Sequence, residues 1–305
     1  MTTEALTRVD PSEFDARRDA VAALDVIARA TDGHESLGES VWRDLAHPGP
    51  DSVGLLLESR AYMHVARSAG VHRDTQWTAG IVRVPDARDR GTTTALLEAA
   101  AAHVAAHGGG ELTCWVFGAT PDDDAMFAEA AFQASRTLLE MRAPLPIPEA
   151  PRWPAGIEVR SYDADRDAAD WLRVNNRAFS GHPEQGGWTE ATQRAHMSEP
   201  WFDPELFLVA FDAEGLAGFD WLKQHDADGA DPPLGEIYVI GVDPRAQGTG
   251  LGRALAVAGL ELVHARGSST ALLFVAADNA GALALYRSLG FAVHRTDRAY
   301  GRVVR

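Results

Sequence analysis

The chain has 305 residues, 46% hydrophobic and 24% charged, which is ordinary globular composition and enough for about two domains. A net charge of −16 disfavours nucleic acid and anionic membrane as partners and favours a cationic or neutral substrate. One cysteine, Cys114, excludes an internal disulfide framework and a multi-cysteine zinc site, so no metal is expected; no apolar run reaches the roughly 18 residues of a membrane span.

The N-terminal MTTEALTRVD carries acids and has no apolar core, so no secretory signal is read there and a soluble cytoplasmic protein is expected. In GHESLGESVWRDL, Ser36 and Glu39 have the spacing of a helix-capping box. Further on, the strand-like AGIVRV ends in PDARDRGTTTALL and is followed by a helix to His107, the strand ELTCWVF, a helical DDAMFAEA and then AAF. Cys114 reads as a buried residue of that strand. The segment APLPIPEAPRWP holds five of the 16 prolines and reads as a stiff linker.

After the linker, a loop rich in glycine surrounds His182 and Glu184. LFLVAFD and LAGFDWLKQ, joined by DAEG, read as an antiparallel hairpin, and EIYVIGV as a strand. That strand ends in DPRAQGTGLGRAL. The apolar set Leu251, Leu255, Ala258 and Leu262 predicts one buried helix face, closed by Gly267. The strand ALLFVAAD, a helix and SLGF complete the half. Pro85 and Pro244, Arg88 and Gln247, Leu96 and Leu255, and Phe132 and Phe291 are each 159 apart, which reads as an internal duplication of one α+β domain. The expected division is a first domain over 1–143, a linker over 144–154 and a second domain over 155–305.

Chemistry concentrates in Gln247, Gly248, Thr249, Gly250, Leu251, Gly252 and Arg253. Glycines at 248, 250 and 252 strip side chains from a turn before a helix, so backbone N–H groups converge on an anion. No acid lies between Pro244 and Leu260, and Arg245 and Arg253 add positive charge. A P-loop is excluded because the only lysine, Lys223, is elsewhere; a dinucleotide fingerprint is excluded by the glycine spacing.

Gln247-Gly-Thr-Gly250-Leu-Gly252, followed by Asn279, Tyr286 and Leu-Gly-Phe291, resembles the GNAT superfamily of acyl-CoA-dependent N-acetyltransferases. The resemblance implies two tandem GNAT domains, each a mixed, mainly antiparallel sheet flanked by helices, and acetyl-CoA as acetyl donor. It implies that backbone groups of Ile240, Gly241 and Val242 meet the pantetheine arm, with Asn279, Ala280, Gly281, Ala282, Leu283 and Ala284 completing the cofactor site. Through the duplication, Ile81, Val82, Arg83, Arg88, Asp89, Arg90, Gly91, Thr92 and Thr93 become the corresponding first-half set.

The tandem arrangement, with the motifs GHPEQGGW and GEIYVIGVDP, also resembles the branch of that superfamily that completes mycothiol by acetylating the cysteinyl amine of cysteinyl-glucosaminyl-inositol. That resemblance implies a thiol-containing pseudodisaccharide substrate, a monomer, and substrate contacts from Glu39, Glu184, Lys223, Glu236 and Phe274, the last where a tyrosine is expected. Acetylation needs a base for a protonated amine, and Glu236, on the strand before the loop, is that candidate, directly or through water; alternation places it on one face with Tyr238 and Ile240. Tyr286 is the candidate acid for the leaving thiolate. Lys223 and Glu184 read equally as solvated residues, and Glu39 as a capping residue.

At the 159-residue offset, Glu236 falls on Trp77, Tyr286 on Phe127, Asn279 on Thr120 and Gly252 on Thr93. The first half is therefore expected to grip CoA at most, to wall the substrate site and to transfer nothing. Transfer to another amine (an aminoglycoside, a polyamine or a protein N-terminus) and acetyl-CoA sensing without catalysis remain as alternatives.

Overall fold

The computed structural model describes residues 6–57, 59–68, 76–181, 185–228 and 231–305. The chain divides into two compact units, Met1–Leu139 with Arg295–Arg305, and Glu140–His294.

In the first unit, β1 (Thr7–Val9), α1 (Phe14–Asp32) and α2 (Glu39–Ala46) precede β2 (Val53–Leu57), β3 (Ala61–Arg67) and β4 (Gln76–Arg83). Then come α3 (Arg90–Ala106), β5 (Gly110–Val116), α4 (Pro121–Glu129) and β6 (Gln133–Pro144), which runs on into the second unit. β2, β3 and β4 are antiparallel neighbours, and β4 lies parallel to β5. The second unit repeats the plan. It has β7 (Glu158–Ser161), α5 (Ala164–Ala178), α6 (Glu190–Met197), β8 (Phe207–Asp212), β9 (Gly215–His225) and β10 (Leu234–Val242). These are followed by α7 (Leu251–Ala265), β11 (Thr270–Ala276), α8 (Ala280–Ser288) and β12 (Ala292–Val304), which runs on into the first unit. β8, β9 and β10 are antiparallel, and β10 is parallel to β11. Each unit is thus a mixed, mainly antiparallel sheet with helices, the α+β class read from the sequence.

The duplication is visible element by element. α4 and α8 start 159 residues apart, and each is capped by the residue before it: Thr120 Oγ1 accepts from the Asp123 amide, and Asn279 Oδ1 from the Ala282 amide. The hairpin closes where expected, with Asp212 opposite Gly215. Cys114 is buried in β5, which pushes its thiol up to about 12.

The boundaries differ from the expected 143, 154 and 305. The division falls after Leu139, and Arg295–Arg305 belong to the first unit, because β12 pairs with β5 from Arg298↔Val116 to Val304↔Gly110. Within the second unit the proline-rich segment is tied down, with the Leu145 amide donating to Ser269 O and Glu149 pairing with Arg253. The buried face of α7 is also turned from expectation: Leu251 and Leu255 are buried, but Gly259, Leu260 and Val263 continue the stripe, with Ala258 and Leu262 half-buried.

The second unit's core on one face of its sheet is aromatic. Trp171 of α5 meets Trp188, Phe207, Phe219 and Trp221 edge-on at 5.5–5.8 Å. The other face packs Ile240 and Val242 with Leu251 and Leu255 of α7.

Candidate active site

β10 and β11 are in register only over Leu234–Ile237 and Thr270–Leu273, while β10 continues to Val242 paired with β9. The two parallel strands therefore part just before the glycine loop, and Ile240, Gly241 and Val242 lie in the diverging part. Gly241 is required by packing, since a Cβ there would press into the rings of Phe219 and Phe179.

The loop that follows is built for close approach to backbone. Gly248 and Gly250 have φ of +78° and +92°, left-handed values that favour glycine, and open space lies where their Cβ atoms would be. Gly250 is the N-cap of α7 and leaves the helix without a side-chain cap. Thr249 Oγ1 donates to Ala246 O and Gln247 Nε2 to Val242 O, so these side chains brace the loop. The expected positive side chains are otherwise engaged: Arg245 pairs with Asp212, and Arg253 with Glu149 and Ser288. An anion at this loop meets backbone N–H groups and the positive end of a 15-residue helix. The loop and the parted strands thus fit an extended ligand that carries a phosphate.

Glu236 is nearly buried on β10, directly opposite Lys223 of β9. Its Oε2 lies 2.7 Å from Nε2 of His225. Alternation predicts that Glu236 shares a face with Ile240, and the structure corrects this. The β9–β10 register slips between Ile237 and Val239, a bulge that inserts one residue. Before it, a Cβ on Gly235 would run into Val263 of α7, so Glu236 points away from α7; after it, Ile240 packs against α7. Tyr238 stays on the Glu236 side, 4.8 Å from the ring of Trp201, and Lys223 Nζ lies 4.7 Å from the same ring. Phe274 is two residues beyond Leu272, the register partner of Glu236, and is 43% exposed on that face.

Tyr286 of α8 is buried on the opposite side; burial, with Asp220 nearby, holds its hydroxyl well above the usual tyrosine range, so it keeps its proton at neutral pH. Asn279 spends its oxygen on the α8 cap, and Ala280 to Ala284 form the first turns of that helix. Glu39 is the first residue of α2, after the N-cap Gly38. No capping box forms there, because the Ser36 amide turns instead to Asp25 Oδ1. Glu184 lies outside the described residues.

The first-half set is arranged differently. A cavity of about 380 Å³ opens beside Ile81, Arg83 and Val116, where β4 outruns its pairing with β5. At its floor Arg83 is buried against Asp123 (2.5 Å) and Thr93 Oγ1 (2.9 Å). Arg88 pairs with Asp32, and Arg90 with Glu129. α3 begins at Arg90, so Gly91, which corresponds to Gly250, is inside the helix. Asp89 is the N-cap, its carboxylate accepting from the Thr92 amide (2.9 Å) and hydroxyl (2.8 Å). Val82 and Thr92 are buried in this arrangement. Trp77 sits where Glu236 would be, but without a bulge it turns to α3, 5.5 Å from His103.

His225, Trp201 and the bulge at Tyr238 were not read from the sequence. His225 follows Lys223 by two on a strand, so alternation places it on the same face; the bulge has no such signature.

A model of the acetyltransferase (GNAT) family matches residues 169–291. A mycothiol acetyltransferase from Thermobispora bispora is 39% identical over 297 residues, covering 97% of this chain and 99% of that protein. Another, from Nocardia farcinica, is 37% identical over 305 residues, covering 98% of this chain and 97% of that protein. Among solved structures, a GCN5-related N-acetyltransferase from Sphaerobacter thermophilus aligns with a TM-score of 0.74 at 22% identity, over 99% of this chain and 96% of that one. A tandem GNAT protein from the clavulanic acid biosynthesis pathway aligns with a TM-score of 0.73 at 17% identity, over 99% and 98%. The two structures share the fold.

Proposed function

We infer the reaction from one premise: the chain belongs to the mycothiol acetyltransferase family, and is an N-acetyltransferase of tandem GNAT fold. The enzyme acetylates the cysteinyl amine of cysteinyl-glucosaminyl-inositol, giving mycothiol and CoA. Acetyl-CoA supplies a thioester whose acetyl carbon takes the amine nitrogen while its sulfur leaves.

The observation that carries the assignment of roles is the separation of Glu236 and Tyr286 to opposite faces of the second unit's sheet, beside strands that part between them. The substrate amine arrives as an ammonium ion, and its proton passes to Glu236, held by His225 at 2.7 Å. The N–C bond forms as the C–S bond breaks, the nitrogen's remaining surplus proton passes to water, and the Tyr286 hydroxyl gives its proton to the sulfur and regains one from water. The loop at Gly248 and Gly250 holds the diphosphate, and β10 backbone from Ile240 to Val242 aligns the pantetheine arm. Lys223, Trp201 and Phe274 offer the substrate a cation and two flat apolar surfaces on the Glu236 face. Phe274 gives contact without a hydroxyl. Acetyl-CoA is assigned to the second unit alone.

The test supplies purified protein with acetyl-CoA and a panel of amines, and measures released CoA thiol. Rapid release with the cysteinyl pseudodisaccharide and not with polyamines or aminoglycosides supports the reading. Faster release with another amine replaces the substrate, and no release with any amine favours a sensor of acetyl-CoA.

A further inference from the structure

Two arginines flank the glycine loop, and carboxylates hold both. Arg245 is locked into the hairpin of β8 and β9: it takes Asp212 at 2.5 and 3.0 Å and also donates to the carbonyls of Gly215 and Leu216. Arg253 is held differently. It lies in the first turn of α7, directly after Gly252. Its Nη1 donates to Ser288 Oγ of α8 at 2.7 Å, and Ser288 is fixed in turn by its bond to Leu285 O. That contact leaves the other edge of the guanidinium, Nε and Nη2, to Glu149, whose two oxygens take it at 2.8 and 2.5 Å.

Glu149 belongs to neither a helix nor a strand. It sits between Pro148 and Pro151 in the stretch 145–157 that joins β6 to β7, and the two prolines offer no N–H with which to tie it down. The side chains of Arg253 and Glu149 are 36% and 27% exposed, so solutes reach the pair. Arg253 holds the Glu149 carboxyl below its ordinary range, which keeps it charged at neutral pH. A guanidinium edge donating two parallel N–H···O bonds is also the geometry in which arginine takes a phosphate. The carboxylate thus occupies the edge that a phosphate at this loop would use. At the 159-residue offset Arg253 falls on Thr94, so the first unit does not repeat the pair.

We propose that Glu149 is an internal stand-in for a phosphate of the cofactor: it occupies Arg253 until acetyl-CoA binds, and a cofactor phosphate then takes the guanidinium edge and turns the carboxylate out to solvent. Glu149 thereby sets how tightly the loop holds its cofactor, while Ser288 keeps the guanidinium in place during the exchange. No covalent bond changes. The inference rests on the reading of this loop as the diphosphate site.

The experiment measures Kd by calorimetry on the full chain for Glu149→Gln, Arg253→Gln, the double variant and Gly250→Val. The ligands are acetyl-CoA, acetyl-dephospho-CoA and S-acetylpantetheine, which has no phosphate. Glu149→Gln keeps the size of the side chain and removes its charge. An exposed ion pair is typically worth less than about five-fold, so the acetyl-CoA Kd is expected to fall about three-fold. S-acetylpantetheine is expected to bind the parent and Glu149→Gln alike. Arg253→Gln is expected to raise the acetyl-CoA Kd about five-fold or more, since it removes a charged donor. The double variant is expected to match Arg253→Gln, because the carboxylate acts only through that guanidinium. A gain kept with acetyl-dephospho-CoA assigns the exchange to the diphosphate, and a gain lost assigns it to the 3′-phosphate; either supports the proposal. An acetyl-CoA Kd in Glu149→Gln no tighter than the parent's, alongside a weakened Arg253→Gln, overturns the proposal and leaves Arg253 in the cofactor site. Equal tightening of S-acetylpantetheine, or a gain that persists without Arg253, places the effect of Glu149 elsewhere and overturns it too. Parental Kd in Arg253→Gln alone removes only the proposal; parental Kd in both Arg253→Gln and Gly250→Val removes the loop reading with it.

Discussion

Nε2 of His225 lies 2.7 Å from Oε2 of Glu236, across adjacent strands of the second unit. The histidine is partly exposed and the glutamate nearly buried, so the ring fixes the carboxylate from the solvent side. A carboxylate held this way presents its other oxygen in one direction.

His225→Ala is expected to lower kcat by about ten-fold while leaving acetyl-CoA Kd unchanged, because it frees the carboxylate without touching the cofactor loop. His225→Gln, which restores a side-chain N–H, recovers a measurable part. Equal kcat in the alanine and glutamine variants contradicts a positioning role.

Gly250→Val is expected to raise acetyl-CoA Kd ten-fold or more. The φ of +92° is unfavourable for a branched residue, and its side chain fills space left open at the loop. A strained position of this kind costs about 1–3 kcal/mol, so the thermal midpoint falls modestly and calorimetric titration of folded protein reads the binding loss directly. Unchanged Kd removes the loop from the cofactor site.

Titration of the full chain with acetyl-CoA is expected to give one site. In the first unit the amide that would meet a phosphate is already taken by the Asp89 carboxylate, and the turn that α7 leaves open is wound into α3. Two sites of similar affinity contradict this account of the first unit.

Asp123→Ala is expected to destabilise the protein by about 3–5 kcal/mol at pH 7, since it strands the Arg83 guanidinium in the interior. Burial raises the Asp123 carboxyl, but Arg83 and Thr120 outweigh it and hold it below its ordinary value. A lowered folded-state value contributes stability above the unfolded-state value and loses it as pH falls through the folded one. The gap between variant and parent in urea melts therefore narrows below about pH 4. A gap independent of pH contradicts it.

Much of this site was legible in the sequence. The glycines at 248 and 250 follow from a local rule that ties a residue type to a backbone shape, and the 159-residue offset from matched residues in the two halves; that Thr120 and Asn279 cap their helices was not read. What else escaped depends on one extra residue or on distant chain. The bulge between Ile237 and Val239 reverses the faces of Glu236 and Ile240, and nothing in EIYVIGV marks it. The assignment of Arg295–Arg305 to the first unit comes from pairing with β5, which lies some 180 residues earlier in the chain.

In the proposed reaction Glu236 is the base of a single acetyl-transfer site. It is tested most directly by the kcat of Glu236→Gln, read as CoA thiol released with cysteinyl-glucosaminyl-inositol and saturating acetyl-CoA. General-base catalysis is typically worth about 10²–10⁴-fold, so kcat is expected to fall by that range with acetyl-CoA Kd within two-fold of the parent. A kcat within about three-fold of the parent across pH 6–9, well below that range, would contradict the account.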